Sequence, residues 1–383
     1  MSYQSYQIIM EVSMNTLKPA INFGPGATLR DEIDERGWSQ EDFAEIMGVS
    51  KNTVNNLVNN KVAITVDMAI LLGKALNQDP EVWLRLDSSY RLQKQQSSER
   101  VDATERRALA YAAAPVKEMQ KYGWISQFED PYEAVKRFWG VKKIDPDFAA
   151  KMEDQISSVA LRSTKTLTTV RALHLRAWLH MASKIAKTRP NKRYNKSELE
   201  KLIGTLYSHT RKTNGVAIYL ESLTDIGVKF IVLRHLSKTY LTGACFWEGK
   251  NPVVAYTGRY DRVDGFWFTL AHELGHVLRE HSNHAILDED DVESTEKIEH
   301  EADQIAEEAL KHQEILAKMD MYGKYVSEAR VRSCAKEVGV NEAIVVGVLQ
   351  HKKQIPYRNL SYLRGEALSL IPEKYKVPAL PDA

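Results

Sequence analysis

Two histidines four residues apart, His272 and His276, place the strongest constraint on how this 383-residue chain folds. On an α-helix such residues stand one turn above the other, so both imidazoles can reach the same point. The surrounding apolar residues follow helical periodicity and form one continuous stripe, and both histidines lie on the opposite side of the helix. A core histidine would lie within the stripe, so the remaining structural alternative is a pair of surface histidines. The stripe consists of Trp267, Leu270, Ala271, Leu274, Val277 and Leu278.

The same pair of histidines predicts a zinc site with a neighbouring catalytic acid. Zinc binds imidazole nitrogens and carboxylate oxygens in tetrahedral geometry, and Glu273 completes the pattern H-E-x-x-H. Three protein ligands leave one position for water, from which Glu273 would take a proton and pass it to the leaving amine. The group that stabilises the oxyanion stays open. Nearby candidates are Tyr256, Arg259, His281 and His284.

A third metal ligand is expected from a second helix, which the periodicity predicts over residues 295–310. Its buried line is formed by four apolar residues, and Glu299 and Asp303 share one face at the edge of that line. Glu299 is therefore the expected third ligand, and Asp303 is placed to accept the free ring N–H of a ligating histidine. The alternative is that both are ordinary solvated acids on a charged helix. The apolar line is Ile298, Ala302, Ile305 and Ala309.

H-E-x-x-H followed by E-x-x-x-D resembles the gluzincin arrangement, and the segment 266–276 is similar to the ImmA/IrrE family of bacterial and phage metallopeptidases. Residues 299–306 match the second helix of that family. The resemblance implies that His272, His276 and Glu299 bind Zn²⁺, that Glu273 is the catalytic acid and base, and that the substrate is a repressor protein. The leucine-rich, proline-ended continuation usual after that helix is absent. The metzincin pattern fails because Arg279 and Ser282 replace its glycine and third histidine.

A second motif, near the N-terminus, predicts a helix-turn-helix. Residues 39–47 and 50–59 form two helical patterns joined by Gly48-Val49, with Ser39 and Ser50 as N-caps. The second helix would present a polar face that suits base edges in the major groove. The residues expected to contact DNA are Ser39, Gln40, Ser50, Lys51, Asn52, Thr53, Asn55, Asn56, Asn59 and Lys61.

The charge distribution argues both for and against DNA binding. The whole chain carries 52 basic and 51 acidic residues, so it has no global positive field. Residues 29–92 contain 7 basic and 11 acidic residues, although DNA affinity depends on cations that meet phosphates. No acid lies between Ile46 and Val66, however, so the expected reading face is free of negative charge. A helical bundle that serves only dimerisation or toxin binding is the alternative.

Residues 25–92 resemble the HigA type of antitoxin, a member of the Cro/CI-like (XRE) helix-turn-helix class. The strings 65–69 and 79–84 carry that likeness. It implies a homodimer that binds operator DNA, and a ribonuclease toxin as a further partner. This chain is longer than such antitoxins and is similar to the fused proteins that join such a module to an ImmA/IrrE domain.

The rest of the chain is predicted to be mainly α-helical, which makes the fold class mainly α with a small antiparallel sheet (α+β). Strands are expected at 228–233, 243–247 and 252–256, with a hairpin turn at 248–251. Near the C-terminus, Gly339 and Val340 repeat the spacing of the helix-turn-helix with little polar surface, so we expect a packing role against the peptidase region.

The expected regions are an N-terminal extension (1–24), a five-helix DNA-binding domain (25–92), a linker that is a flexible connector or an exposed helical extension (93–103), a helical middle region (104–214), a zincin-like peptidase domain (215–315) and a helical C-terminal region (316–383).

We expect a cytoplasmic protein. Its two cysteines, Cys245 and Cys334, form no C-x-x-C pair, and no secretory leader or membrane-length apolar run is evident. The first hypothesis is a DNA-binding regulator or antitoxin with a zinc-dependent endopeptidase that cleaves a repressor-like protein or itself. The second is a non-enzymatic antitoxin and repressor whose metal site is structural or sensory.

Overall fold

The computed structural model describes residues 24–95, 99–148, 160–161, 169–280, 292–323 and 325–377. These residues form two compact units that divide between Glu105 and Arg106. The described parts contain no helix that is both long enough and apolar enough to cross a membrane. Most of the predicted N-terminal extension, residues 1–23, lies outside the described residues.

The first unit contains a five-helix bundle. Its helices are α1 (Pro25–Glu35), α2 (Gln40–Met47), α3 (Lys51–Val58), α4 (Val66–Leu76) and α5 (Pro80–Gln95). One apolar core holds them together, with Leu29, Phe43, Val54, Leu72 and Trp83 almost fully buried. Helix α5 continues beyond residue 92, and the next helix, α6 (Glu99–Ala113), begins inside the predicted linker. The described residues on both sides of 96–98 are therefore helical.

The second unit combines helices with a small sheet. Before the last strands lie α7 (Val116–Lys121), α8 (Pro131–Trp139), β1 (Ala160–Leu161), α9 (Thr169–Thr188), α10 (Lys196–Gly204), α11 (Leu206–His209) and α12 (Gly215–Asp225). The strands β2 (Lys229–Val232), β3 (Gly243–Glu248) and β4 (Asn251–Tyr256) follow. Five helices come next, namely α13 (Val263–Leu278), α14 (Val292–Ala309), α15 (His312–Met321), α16 (Glu328–Val338) and α17 (Glu342–His351). Three 3₁₀ turns end the described chain, Ser361–Arg364, Leu368–Leu370 and Glu373–Tyr375.

The sheet is mixed, which corrects the prediction of a small antiparallel sheet. The strand order is β1-β3-β4-β2. The pairs β3–β4 and β1–β3 are antiparallel, and the hairpin between β3 and β4 lies where it was predicted. Strand β2, however, pairs in parallel with β4, with Phe230 opposite Val254. The connection after β2 carries the chain past β4, so β2 and β3 do not form a hairpin.

Both faces of the sheet are covered, and this makes the second unit a single compact body. Alternate strand residues such as Ala244 and Val253 share a core with Trp178 of α9. The residues between them, such as Cys245 and Val254, pack on the side of α13. Residues 106–383 form one compact unit, in which the helices of the middle region form one wall of the sheet.

The C-terminal helix α17 packs against the long helix α13, in the packing role predicted for the repeated helix-turn-helix spacing. Helix α16 ends at Gly339 and α17 begins after its N-cap, Asn341. In α17 the side chains of Ile344, Val345 and Val346 are almost completely buried. The helix pair thus belongs to the core that supports α13.

Candidate functional site

His272 and His276 face each other on consecutive turns of α13. Their Nε2 atoms are 3.0 Å apart, and the carboxylate of Glu299 on α14 reaches both. One Glu299 oxygen lies 3.3 Å from His272 Nε2, and the other lies 3.3 Å from His276 Nε2. Both imidazoles are fully buried, whereas the Glu299 side chain is 29% exposed. Three donor atoms on two helices therefore converge on one point.

The convergence depends on how closely the two helices approach. Gly275 lies between the two histidines in sequence, and a Cβ atom there would stand only 3.2 Å from the Cα atom of Ala302. Because neither position carries a large side chain, the backbones of α13 and α14 can touch. Glu299 and Asp303, one on each side of Ala302, are thereby brought next to the histidines. The close approach explains why the predicted acids on α14 reach ligands on α13.

The donor set fits a tetrahedral zinc ion. Zinc bound to nitrogen at about 2.0–2.1 Å keeps its ligand atoms about 3.3 Å apart. The three separations in this site are 3.0, 3.3 and 3.3 Å. Two buried imidazoles with their Nε2 atoms turned towards a carboxylate are the donor types that zinc prefers. The residues present are therefore suited to hold the ion.

Asp303 fixes the orientation of one imidazole. Its Oδ1 atom lies 2.8 Å from Nδ1 of His272. When the Nδ1–H donates to this carboxylate, the lone pair of Nε2 points towards Glu299 and is available to a metal.

Glu299 remains ionised far below neutral pH. Burial by itself would raise the pKa of this carboxyl, but its contacts with the imidazoles of His272 and His276 hold the pKa at about 2. The carboxylate is consequently available as an anionic ligand across the physiological range.

Glu273 is fully buried and lies beside strand β3. A Cβ atom on Gly243, the first residue of β3, would come within 2.8 Å of its Oε1 atom. The thiol of Cys245, two residues along the strand, lies within electrostatic range of the same carboxylate. Burial, reinforced by the negative charges of Glu273 and Glu299, raises the pKa of this thiol well above its usual value. Cys245 therefore stays a protonated neighbour of the site.

The structure brings together the five residues predicted for the metal site, which are His272, Glu273, His276, Glu299 and Asp303. Of the four candidates for stabilising the oxyanion, the two that the structure describes are not among the residues that converge there. Tyr256 is buried, with its hydroxyl 3.5 Å from the backbone oxygen of Tyr260. Arg259 lies over the rings of Tyr240 and Tyr260. The histidines at 281 and 284 lie outside the described residues. Sequence reasoning missed Gly243 and Cys245, because no motif links a strand to the glutamate of a distant helix.

In the first unit, α2 and α3 pack together as a helix-turn-helix. Ser39 and Ser50 cap the two helices, since each side chain accepts a hydrogen bond from a backbone N–H three residues later. Their hydroxyls therefore already have a structural role at the helix ends.

Of the remaining predicted DNA-contacting residues, Gln40 is the first residue of α2, and the others lie on or next to α3. Lys51 forms an exposed ion pair with Glu41, and Asn59 donates a 3.0 Å hydrogen bond to the side chain of Asn55. The exposed residues of this group are Lys51, Asn52, Asn55, Asn59 and Lys61, and the half-buried ones are Gln40, Thr53 and Asn56. Thr53 is tied to Ser50 by a 2.8 Å contact between their hydroxyls.

Comparison with known proteins agrees with these two sites. The helix-turn-helix family model matches residues 29–83, and the model of peptidase family M78, described as the IrrE N-terminal-like domain, matches residues 224–347. An HTH-type transcriptional regulator of Escherichia coli, YddM, is 32% identical over 76 residues, which are 20% of this chain and 81% of the relative. The chain belongs to the helix-turn-helix transcriptional regulators of the XRE type. It joins a regulator or antitoxin domain of that family to a peptidase M78 domain.

Two further relatives carry the name HigA. Antitoxin HigA-1 of Vibrio cholerae is 43% identical over 54 residues, which are 14% of this chain and 50% of the relative. The solved structure of Pseudomonas aeruginosa antitoxin HigA with the higBA promoter is 36% identical. The matched region spans 19% of this chain and 82% of the HigA chain, with a TM-score of 0.19. The second unit of this regulator carries the domain of a zincin-like metallopeptidase family, and His272, His276 and Glu299 form a candidate metal site within it.

Proposed function

We propose that this regulator is a zinc-dependent endopeptidase whose metal is held by His272, His276 and Glu299. The observation that carries the proposal is the convergence of three ligand atoms at separations of 3.0 to 3.3 Å, beside the buried carboxylate of Glu273. Membership of the second unit in a metallopeptidase family supports it. A purely structural site would have no need of an acid in this position.

In the proposed reaction the protein supplies ligands, orientation and proton transfer. His272 and His276 would bind the ion through Nε2, and Glu299 would bind it through its carboxylate. Zinc, when bound, supplies a Lewis acid that polarises a peptide carbonyl and lowers the pKa of water to about 7. Glu273 would accept the proton of the attacking water at a carboxylate oxygen and deliver it to the leaving amine. Asp303 would keep His272 in the tautomer that presents Nε2.

The first unit would direct this activity to a regulatory circuit. We propose that α3 enters the major groove of operator DNA and that the protein acts as a homodimer in the cytoplasm, where its operator lies. Exposed apolar residues one turn apart on α4, Val66 and Ile70, support a surface for the second copy. The proposed substrate is a repressor-like protein or the chain itself, in keeping with the ImmA/IrrE resemblance. The mass of the protein in solution tests the dimer.

A second function is favoured by two observations. The likeness to antitoxin HigA-1 supports neutralisation of a ribonuclease toxin. His272, Glu273 and His276 are also completely buried, which suits a structural or sensory metal. In this alternative the protein binds DNA and toxin, and the metal stabilises the second unit without cleavage.

The cleavage rates of wild type and of two matched variants distinguish the two proposed functions. The zinc-loaded protein is incubated with the products of its neighbouring genes, and fragments are identified by mass spectrometry. We expect Glu273→Gln to lower the cleavage rate by at least about a hundredfold while zinc is retained, because a general base typically contributes factors of this size. Glu308→Gln, an exposed acid on α14, is the control. Equal rates for wild type and Glu273→Gln would remove Glu273 from the reaction, and no cleavage by wild type would favour the second function.

A further inference from the structure

A cavity of about 210 Å³ lies next to the candidate metal centre in the second unit. Part of its wall is formed by Gly265, Phe268 and Thr269 of α13, and Thr242 contributes from the position just before β3. At about 1.5 Å per residue, the α13 residues lie about 5 to 10 Å from His272 along the helix, and on its face. One residue of an extended peptide spans about 3.5 Å, so a substrate held at the metal would place a neighbouring side chain at this cavity.

Two contacts tie the cavity to the metal centre. The ring of Phe268 stacks between His272, at a centroid distance of 6.4 Å, and His312, at 5.7 Å. Thr269 lies one turn before Glu273, and both would be touched by a Cβ atom on Gly243. Thr269 in the wall of the cavity and the carboxylate of Glu273 thus both lie against Gly243.

The opposite wall comes from α17, the helix that repeats the helix-turn-helix spacing without a polar reading face. Ile344, Gly347 and Val348 line the cavity. A Cβ atom on Gly347 would stand 2.6 Å from a carboxylate oxygen of Asp264, so only a glycine lets α17 approach α13 this closely. This packing gives the C-terminal helix pair a place in a binding site.

The lining favours a neutral, apolar group. Phe268, Leu310, Ile344 and Val348 supply its apolar surface. The charge of Asp264 is compensated by Arg262, whose guanidinium donates hydrogen bonds of 2.7 and 3.2 Å to it.

Two histidines, His312 and His351, also line the cavity. Burial lowers the pKa of His312 to about 4, so the ring is uncharged at neutral pH. An apolar cavity of about 150 Å³ is sufficient to hold benzene, so this one can take a large side chain.

We propose that this cavity binds one large apolar side chain of the substrate, such as leucine, methionine or phenylalanine, next to the bond that is cleaved. Ile344 and Val348 on α17 set the size of the side chain that fits. The inference rests on the proposed peptidase function and adds the substrate class of the same site. A protein substrate would accordingly be cut beside a large apolar residue.

The test uses amino-acid hydroxamates, which chelate zinc without being hydrolysed, and titrates them into the zinc-loaded full-length protein by calorimetry. Leucine hydroxamate should bind about tenfold or more tightly than glycine hydroxamate, which has the same chelating group and no side chain. Val348→Phe fills the cavity and should bring the ratio of the two affinities close to one. Ile344→Ala enlarges it and should shift the preference from leucine towards tryptophan hydroxamate.

Val346→Ala, a buried position of α17 outside the cavity lining, is the matched control and should keep the leucine preference. The cavity proposal is overturned if wild type binds both hydroxamates equally, or if neither Ile344→Ala nor a folded Val348→Phe changes the ratio. A wild type that prefers leucine hydroxamate but cleaves no protein would contradict the peptidase function alone. If neither compound binds although zinc is present, both proposals fail.

Discussion

The hydrogen bond between His272 and Asp303 decides which imidazole nitrogen faces the other ligands. Replacement of the carboxylate by an amide keeps the shape but removes the negative charge that holds the Nδ1 proton. We expect Asp303→Asn to weaken zinc binding about 10- to 100-fold. Competition with a chromophoric chelator measures the affinity, and Glu308→Gln is the matched control. An unchanged affinity in Asp303→Asn would show that Asp303 does not support the ligand.

His312 should make the second unit sensitive to acid. An unfolded chain protonates histidine near pH 6.5, whereas burial lowers the pKa of His312 in the folded protein to about 4. As pH falls from 6.5 to 4, the unfolded chain therefore takes up a proton that the folded chain does not, and the free energy of unfolding decreases. In wild type this loss of unfolding free energy should be on the order of 3 kcal/mol, and in His312→Leu it should be absent.

Denaturant titrations between pH 7 and pH 4.5 give the unfolding free energies of both proteins. When the unfolding free energy is plotted against pH, the curve for wild type should fall more steeply on acidification than the curve for His312→Leu. Parallel curves would contradict the assignment of an uncharged, buried His312.

The role of a single residue could be predicted only where a local sequence pattern, such as helical spacing, indicates it. The spacing of His272 and His276 and the phase of Glu299 were sufficient to predict which side chains converge. Cys245 and His312 carry no such signal, because their surroundings are created by β3 and by the stacking on Phe268. Their roles depend on contacts between segments that are distant in the chain.

Helix α3 is the element that should determine operator binding. Lys51 and Asn55 are exposed on it, one suited to phosphate and the other to base edges. We expect Asn55→Ala to cost about 1–3 kcal/mol on the operator. Lys51→Ala should weaken binding to all DNA and make the salt dependence shallower by about one unit.

Gel-shift titrations at several fixed salt concentrations measure both effects. Lys74→Ala, an exposed lysine on α4 away from the helix-turn-helix, is the control. If Asn55→Ala and Lys51→Ala bind the operator as tightly as Lys74→Ala does, α3 is not the reading helix.

Elements were predictable where their signals are local. Caps and periodicity predicted α2, α3 and α13, and the turn residues predicted the hairpin of β3 and β4. The parallel pairing of β2 was not predictable, because it depends on where a ten-residue connection returns the chain. The same composition suits an antiparallel or a parallel neighbour when both faces of the sheet are buried.

For the whole molecule, the division into units follows from shared cores rather than from the composition of segments. The five-helix bundle has its own core around Phe43 and Trp83. The middle helices have no separate core, since Trp178 packs on the sheet that supports the metal helix. A sequence pattern shows amphipathic faces but not their partners, so the core that the middle helices share with the sheet was not predictable.

The zinc content of purified protein tests the metal centre most directly. The protein is cleared with a chelator, reloaded with zinc, desalted and analysed by mass spectrometry of the element. We expect one zinc per chain in wild type and in Glu273→Gln, because Glu273 is not a ligand, and a loss of about 90% or more in His276→Ala. A wild type without zinc, or a His276→Ala variant that retains as much zinc as wild type, would contradict a centre built on His272, His276 and Glu299.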